Sequence, residues 1–67
     1  MIPHDADWIV TGWRGTELLV QTWHRGVGSK DCEVAAWHER LKRGEASHVD
    51  VLDRKTGKVQ TIFPTRD

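Results

Sequence analysis

The 67-residue chain has little of the material that usually stabilises a small protein. It contains one cysteine, no tyrosine and one phenylalanine, and its ten basic residues are balanced by ten acidic ones. The single cysteine, Cys32, cannot form an internal disulfide, and we expect it to be a small buried thiol. Because the net charge is zero, there is no long-range attraction to nucleic acid or to an anionic membrane. Any charged partner must therefore be met by a local patch.

Signals for membrane insertion or export are also missing. No apolar segment approaches the roughly 18 residues that a membrane span needs. The first residues lack the basic stretch and apolar run of a signal peptide. Together with the lone cysteine, these absences predict a cytoplasmic protein without membrane contact.

Tryptophan is the abundant large residue, with four copies: Trp8, Trp13, Trp23 and Trp37. A domain of about 60 residues buries only about 60% of the surface that its unfolded chain exposes. Each tryptophan adds roughly 150–250 Å² of buried area when it is fully packed. We therefore expect one small domain, residues 1–67, whose thin core depends on tryptophan.

The first half of the chain predicts a β-hairpin over residues 7–25, after a polar lead-in at 1–6. Two segments rich in β-branched and aromatic residues, DWIVTGW and TELLVQTWH, are separated by RGT. In the first segment Trp8 and Val10 share one face, whereas Ile9, Thr11 and Trp13 share the other. Both faces of this strand therefore carry apolar side chains.

The middle of the chain predicts a helix over residues 29–43. Val34, Trp37, His38 and Leu41 recur at the spacing of an amphipathic stripe. Ser29 is the expected N-cap, and Gly44 is well placed for the left-handed residue that ends a helix. The preceding segment GVGSKD lacks the glycine spacing of a phosphate-binding loop, so we interpret it as a connection.

A second hairpin is predicted over residues 47–63, with a tail at 64–67. The segments SHVDVLD and KVQTIF flank the turn RKTG. Val49 and Val51 are expected to face the side chains Val59, Thr61 and Phe63. The predicted fold is therefore α+β, in the order ββαββ. A four-stranded antiparallel sheet carries one helix on one face and leaves the other face open.

Residue spacing argues against a metal centre, a cofactor or a catalytic site. One cysteine and scattered histidines (His4, His24, His38 and His48) do not match zinc-ligand spacing. Ser47 and His48 are adjacent on a predicted strand, so their side chains should point to opposite faces. We predict no metal, no cofactor and no enzymatic activity.

Nucleic-acid binding is the alternative function. Basic residues cluster at the end of the predicted helix and in the second hairpin loop: Arg40, Lys42, Arg43, Arg54, Lys55 and Lys58. Basic residues beside aromatic rings are typical of single-strand binding surfaces. Acidic residues are interspersed in the same region, which favours an ordinary solvated surface.

Binding of a protein partner is the preferred function. Tryptophan and arginine are common interface hot spots, and the candidate partner-binding residues are Trp13, Arg14, Trp23, His24 and Arg25. We expect these residues to lie side by side where the strands end. A homodimer is a further alternative, since pairing two open sheet faces would enlarge a thin core. The size and the ββαββ outline resemble compact phage-encoded proteins that inhibit host enzymes by docking, which implies an accessory protein of a phage or mobile element.

Overall fold

The computed structural model describes residues 6–64, so most of the predicted lead-in and the last three residues of the tail lie outside the described residues. The elements follow the predicted order. They are β1 (Trp8–Arg14), β2 (Glu17–His24), α1 (Val27–Lys42), β3 (His48–Asp53) and β4 (Val59–Ile62). The strands form one antiparallel sheet in the order β2-β1-β3-β4. The predicted α+β fold is therefore confirmed.

The helix lies on the face of the sheet that carries Val10 and Gly12. The buried core between the two layers consists of Val10, Trp37, Leu41, Ala46, Val49 and Val51. Of the predicted helical stripe, Trp37 and Leu41 are buried and Val34 is partly buried, whereas His38 is exposed. Cys32 is exposed, so its predicted burial was wrong. Cys32 lies five positions before Trp37, which turns its side chain about 140° away from that of Trp37 around the helix axis.

Trp37 packs directly on the backbone of Gly12. A Cβ atom placed on Gly12 would lie 2.1 Å from Cη2 of Trp37. The indole ring therefore occupies the space that any other side chain at position 12 would need. The guanidinium of Arg40 lies over the same ring, 4.5 Å from its centroid. The tryptophan is 2% exposed.

The two ends of the helix differ in how well the sequence predicts them. Gly44, at φ 75°, ends the helix as expected: its N–H donates to Leu41 O, and the Glu45 N–H donates to Arg40 O. The predicted N-cap at Ser29 was wrong, because the helix begins two residues earlier. Gly26, at φ 84°, is the N-cap residue and makes no side-chain capping bond.

The register of β4 reverses one expectation. Val49 lies opposite Ile62, and Val51 lies opposite Gln60. Residues that are directly opposite share a face, so Val59 and Thr61 lie on the face away from the helix. The expected pairing of Val49 and Val51 with Val59, Thr61 and Phe63 was therefore wrong by one residue.

No helix within residues 6–64 has the length and apolar character that crossing a membrane requires.

The Trp37–Gly12 contact predicts opposite effects for two glycine substitutions. Gly12→Ala should lower the free energy of unfolding by about 2–3 kcal/mol, because the ring must move or the strand must shift. Gly28→Ala is the matched control: it lies in the helix, and a Cβ there meets nothing within 4 Å. It should raise stability by about 0.5–1 kcal/mol. Urea unfolding of both variants measures the difference, and equal effects would contradict the contact.

Candidate functional site

The sheet face opposite the helix is not covered by any other helix or strand within residues 6–64, and we call it the open face. Within residues 6–64, six large hydrophobic residues are exposed. Four of them lie on the open face: Leu18, Trp23, Val59 and Phe63. The exposed apolar surface is therefore concentrated on one side of the molecule.

Strand register arranges the open face as three rows that run across the strands. The Trp23 row consists of Trp23, Ile9, Leu52 and Val59. The polar row consists of Gln21, Thr11, Asp50 and Thr61. The Trp13 row consists of Leu18, Trp13, His48 and Phe63. A polar band thus separates two bands that are mainly apolar.

The polar row is linked by hydrogen bonds between neighbouring strands. Gln21 Nε2 donates to Thr11 Oγ1 at 3.2 Å. Thr61 Oγ1 donates to Asp50 Oδ1 at 2.8 Å. Thr11 is 6% exposed although no second layer covers it, because side chains of the adjacent strands shield it. The row therefore has a fixed pattern of donors and acceptors.

The Trp13 row contains a stack of rings. The Trp13 and His48 rings are nearly parallel, at 8°, with their centroids 6.2 Å apart. Phe63 continues the row, with its centroid 6.1 Å from that of His48. Rings held in this way have little rotamer freedom to lose on binding.

Ser47 orients the His48 ring. Its hydroxyl donates to Trp13 O at 3.1 Å and accepts the Gly15 N–H at 2.8 Å. Its contact with His48 Nδ1, at 2.9 Å, is then one in which the imidazole N–H donates. The expectation that Ser47 and His48 point apart was wrong, because Ser47 precedes β3 and folds back on the first hairpin. Since the serine proton is held by a carbonyl, His48 is not placed to accept it.

A second histidine joins two hydroxyl groups on the helix side of the sheet. His24 Nε2 lies 2.7 Å from Thr22 Oγ1, and its Nδ1 lies 2.8 Å from Ser29 Oγ. These hydrogen bonds connect β2 to the first turn of α1. Both partners of His24 are neutral hydroxyl groups, which orient an imidazole but stabilise an imidazolium less than the carboxylate of a catalytic triad does.

The candidate partner-binding residues do not form one cluster. Trp13 and Trp23 share the open face. Trp23, on β2, pairs with Ile9 near the start of β1, whereas Trp13 is near the end of β1, about 13 Å away along the strand. The expected adjacency was wrong because an antiparallel hairpin places the end of its first strand beside the start of its second.

The other three candidates surround the open face without lying on it. Arg14 is beside the hairpin turn and pairs with Glu17 at 2.9 Å. His24 lies opposite Trp8 on the helix side. Arg25 is exposed in the connection between β2 and α1.

The basic residues of the nucleic-acid alternative are split between the two ends of the sheet. The helix ends near the Trp13–His48 pair, whereas the β3–β4 loop follows Asp53, which pairs with Trp8. Several of the cations are also engaged: Lys42 with Glu39 at 3.6 Å, Arg43 with Glu45 at 3.3 Å, and Lys55 with Asp7 at 3.8 Å. Arg40 lies over Trp37, and Arg54 donates to Ala6 O. The six residues therefore do not make one patch.

The helix side of the sheet carries two adjoining half-open clefts of about 350 and 450 Å³. Both clefts are lined by Lys30, Val51 and Gln60, and the larger one also reaches Trp8. Space of this size was not expected from the length of the chain. The clefts exist because the helix covers β1 and β2 more fully than β4. Within residues 6–64, no group of three or more His, Cys, Asp or Glu side chains is placed to hold a metal ion.

Sequence reasoning missed part of the open face. Leu18, Leu52, Val59 and Phe63 were not among the candidates, although they supply much of its apolar surface. The alternation Val59, Thr61, Phe63 was the available signal, but it indicates a shared face without telling which face it is.

Comparison of the chain with models of known protein families, with curated protein sequences and with solved structures finds no match. The function is therefore inferred from the site itself.

The bonding of Ser47 predicts that it supports the aromatic stack. Ser47→Ala removes a hydroxyl that joins the first hairpin to β3, and it should lower the free energy of unfolding by about 0.5–1.5 kcal/mol. Ser29→Ala removes one bond to His24 within a helical turn, where alanine is favoured, so its effect should be smaller. Thermal unfolding of the two variants compares them. A larger loss for Ser29→Ala would contradict this role of Ser47.

Proposed function

We propose that this chain is a cytoplasmic, non-enzymatic interaction module that docks a protein partner through the open face. The observation that carries the proposal is that four of the six exposed large hydrophobic residues within residues 6–64 lie on one sheet face: Leu18, Trp23, Val59 and Phe63. Single exposed apolar residues are normal, but several on one face that no second layer covers favour an interaction surface. Two tryptophans on that face, Trp13 and Trp23, add the residue type most enriched among hot spots.

The arrangement of this face also suits a protein partner. Its apolar rows are separated by a polar row in which Gln21 bonds to Thr11 and Thr61 bonds to Asp50, so these polar groups keep a partner when the face is covered. The stacked Trp13 and His48 rings are held before binding. Preorganisation of this kind lowers the entropy cost of association.

The cytoplasmic location is supported by Cys32, an exposed thiol with no second cysteine in the chain. Unpaired exposed thiols fit a reducing compartment better than an oxidising one. The role we propose is that of a phage or mobile-element accessory protein that acts by occupying the surface of its partner.

Charge substitution on the open face tests the proposal. Leu18→Glu should abolish capture of a protein from a cell lysate by the immobilised chain, because a carboxylate would be buried in the apolar contact. Val20→Glu is the matched control: Val20 is exposed to a similar degree but shares the helix side with Gly12. Mass spectrometry identifies proteins retained by the wild type and by Val20→Glu but lost from Leu18→Glu.

Two results would contradict this proposal. One is equal capture by both variants. The other is that the immobilised chain retains nucleic acid from the lysate in place of protein, with binding that falls steeply as salt is raised.

A further inference from the structure

The helix lies to one side of the four-stranded sheet. Its backbone approaches β1 and β2 closely, and the two adjoining clefts open beside it, above β3 and β4. We call these two clefts together the groove. One wall of the groove is the flank of the helix that carries Lys30, Val34 and His38, which recur every four residues. The groove therefore runs along the helix.

The width of the groove matches a second helix. Neighbouring strands are about 4.8 Å apart, so the midlines of the pairs β2–β1 and β3–β4 are about 10 Å apart. The axes of packed helices are about 8–10 Å apart. A helix that lies above β3 and β4 would thus contact the sheet and α1 together. Strand β3 has six residues, or about 20 Å, which corresponds to about 13 residues of helix.

Apolar side chains line the floor and the helical wall of the groove. Val51 lies in the floor of both clefts and is 8% exposed. Ile62 and Val34 are partly buried and face each other across the smaller cleft, and Trp8 lines the larger one. These side chains suit the apolar stripe of an amphipathic helix, which is the usual ligand of a groove of this kind.

The ionic groups of the groove favour an acidic ligand. Lys58 lines the groove and makes no ion pair within residues 6–64. Lys30 pairs with Asp31, whose side chain is 65% exposed. The carboxylate in the lining, Asp53, already accepts two N–H groups of the β3–β4 loop, at 2.9 and 3.4 Å. The lysines therefore remain to attract carboxylates of a partner.

We propose that the groove binds an acidic amphipathic helix of a partner protein. A small molecule fits less well, because such ligands bury about 70–90% of their surface and the groove is half-open. The groove and the open face lie on opposite sides of the sheet. The inference therefore goes beyond the proposed function and adds a second binding surface.

Selection from a displayed library of helix-forming peptides of about 13 residues tests the inference. The full chain is immobilised, and the retained peptides are sequenced. They should share an apolar stripe at positions i, i+3 or i+4, and i+7, and acidic residues should outnumber basic ones on the other positions. The contact area is small, so the most enriched peptide should bind with a dissociation constant of about 10–100 μM.

Gln60 offers matched variants for measuring this binding. It is exposed and lines both clefts. Gln60→Glu should weaken binding of the most enriched peptide at least about threefold, because the added carboxylate repels an acidic helix, and Gln60→Lys should strengthen it by a similar factor. Gln21→Glu is the control, since Gln21 is an exposed strand residue of the open face, and it should leave the affinity unchanged. Fluorescence anisotropy of the labelled peptide measures the three affinities.

The outcomes separate this inference from the proposed function. A selection that enriches no helical peptide, or that enriches basic ones, overturns the groove as a binding site for an acidic helix. The same holds for a peptide weakened by Gln21→Glu but not by Gln60→Glu. None of these results affects the open face if Leu18→Glu still abolishes capture of a protein. Equal capture by Leu18→Glu and Val20→Glu, with peptide binding that depends on Gln60, overturns the proposed function alone.

Discussion

The structure depends on the contact between the Trp37 ring and the backbone of Gly12. A thin domain has room for few large core residues, and here one indole is the largest fully buried side chain between helix and sheet. Only a glycine on the central strand β1 allows the ring to come this close. The contact holds the helix over β1 and β2, and it therefore decides which face of the sheet becomes the core.

The open face follows from that choice. One helix covers one side of the sheet, and the described part of the chain supplies no second layer for the other side. Ile9 is nevertheless 6% exposed, because side chains of β2 and β3 flank it on both sides. The centre of this face is thus shielded by its neighbours, whereas its outer strands expose Leu18, Trp23, Val59 and Phe63. Apolar side chains on these outer strands stay in contact with water in the folded chain, so their burial can stabilise a complex.

Element type and order could be predicted from the sequence, because they depend on local signals. Alternation in the first strand placed Ile9, Thr11 and Trp13 on one face, and Gly44 ended the helix as expected. The start of the helix was less predictable, since Ser29 has the chemistry of a cap but bonds to His24 instead. Whether the Ser29 hydroxyl caps the helix or bonds to His24 depends on tertiary contacts.

The composition of the candidate site could be predicted only in part, because it depends on register. In a strand, a shift of one residue moves every side chain to the other face. Strand β4 has apolar residues at both odd and even positions, so its sequence does not tell which face is buried. The prediction that the partner-binding residues lie side by side was wrong for a related reason. Trp13 and Trp23 occupy similar local sequences, but antiparallel pairing separates them along the sheet. Local sequence similarity contains no information about this separation.

The most direct test of the docking surface is to follow the four tryptophan indole N–H signals by NMR while a protein captured from the lysate is added to the chain. Trp13 and Trp23 lie on the open face, Trp37 is buried under the helix, and Trp8 lies on the helix side beneath Lys30. Association through the open face should shift the signal of the exposed Trp23 and leave those of Trp8 and Trp37 in place. Shifts confined to Trp8, with Trp23 unchanged, would contradict docking through the open face.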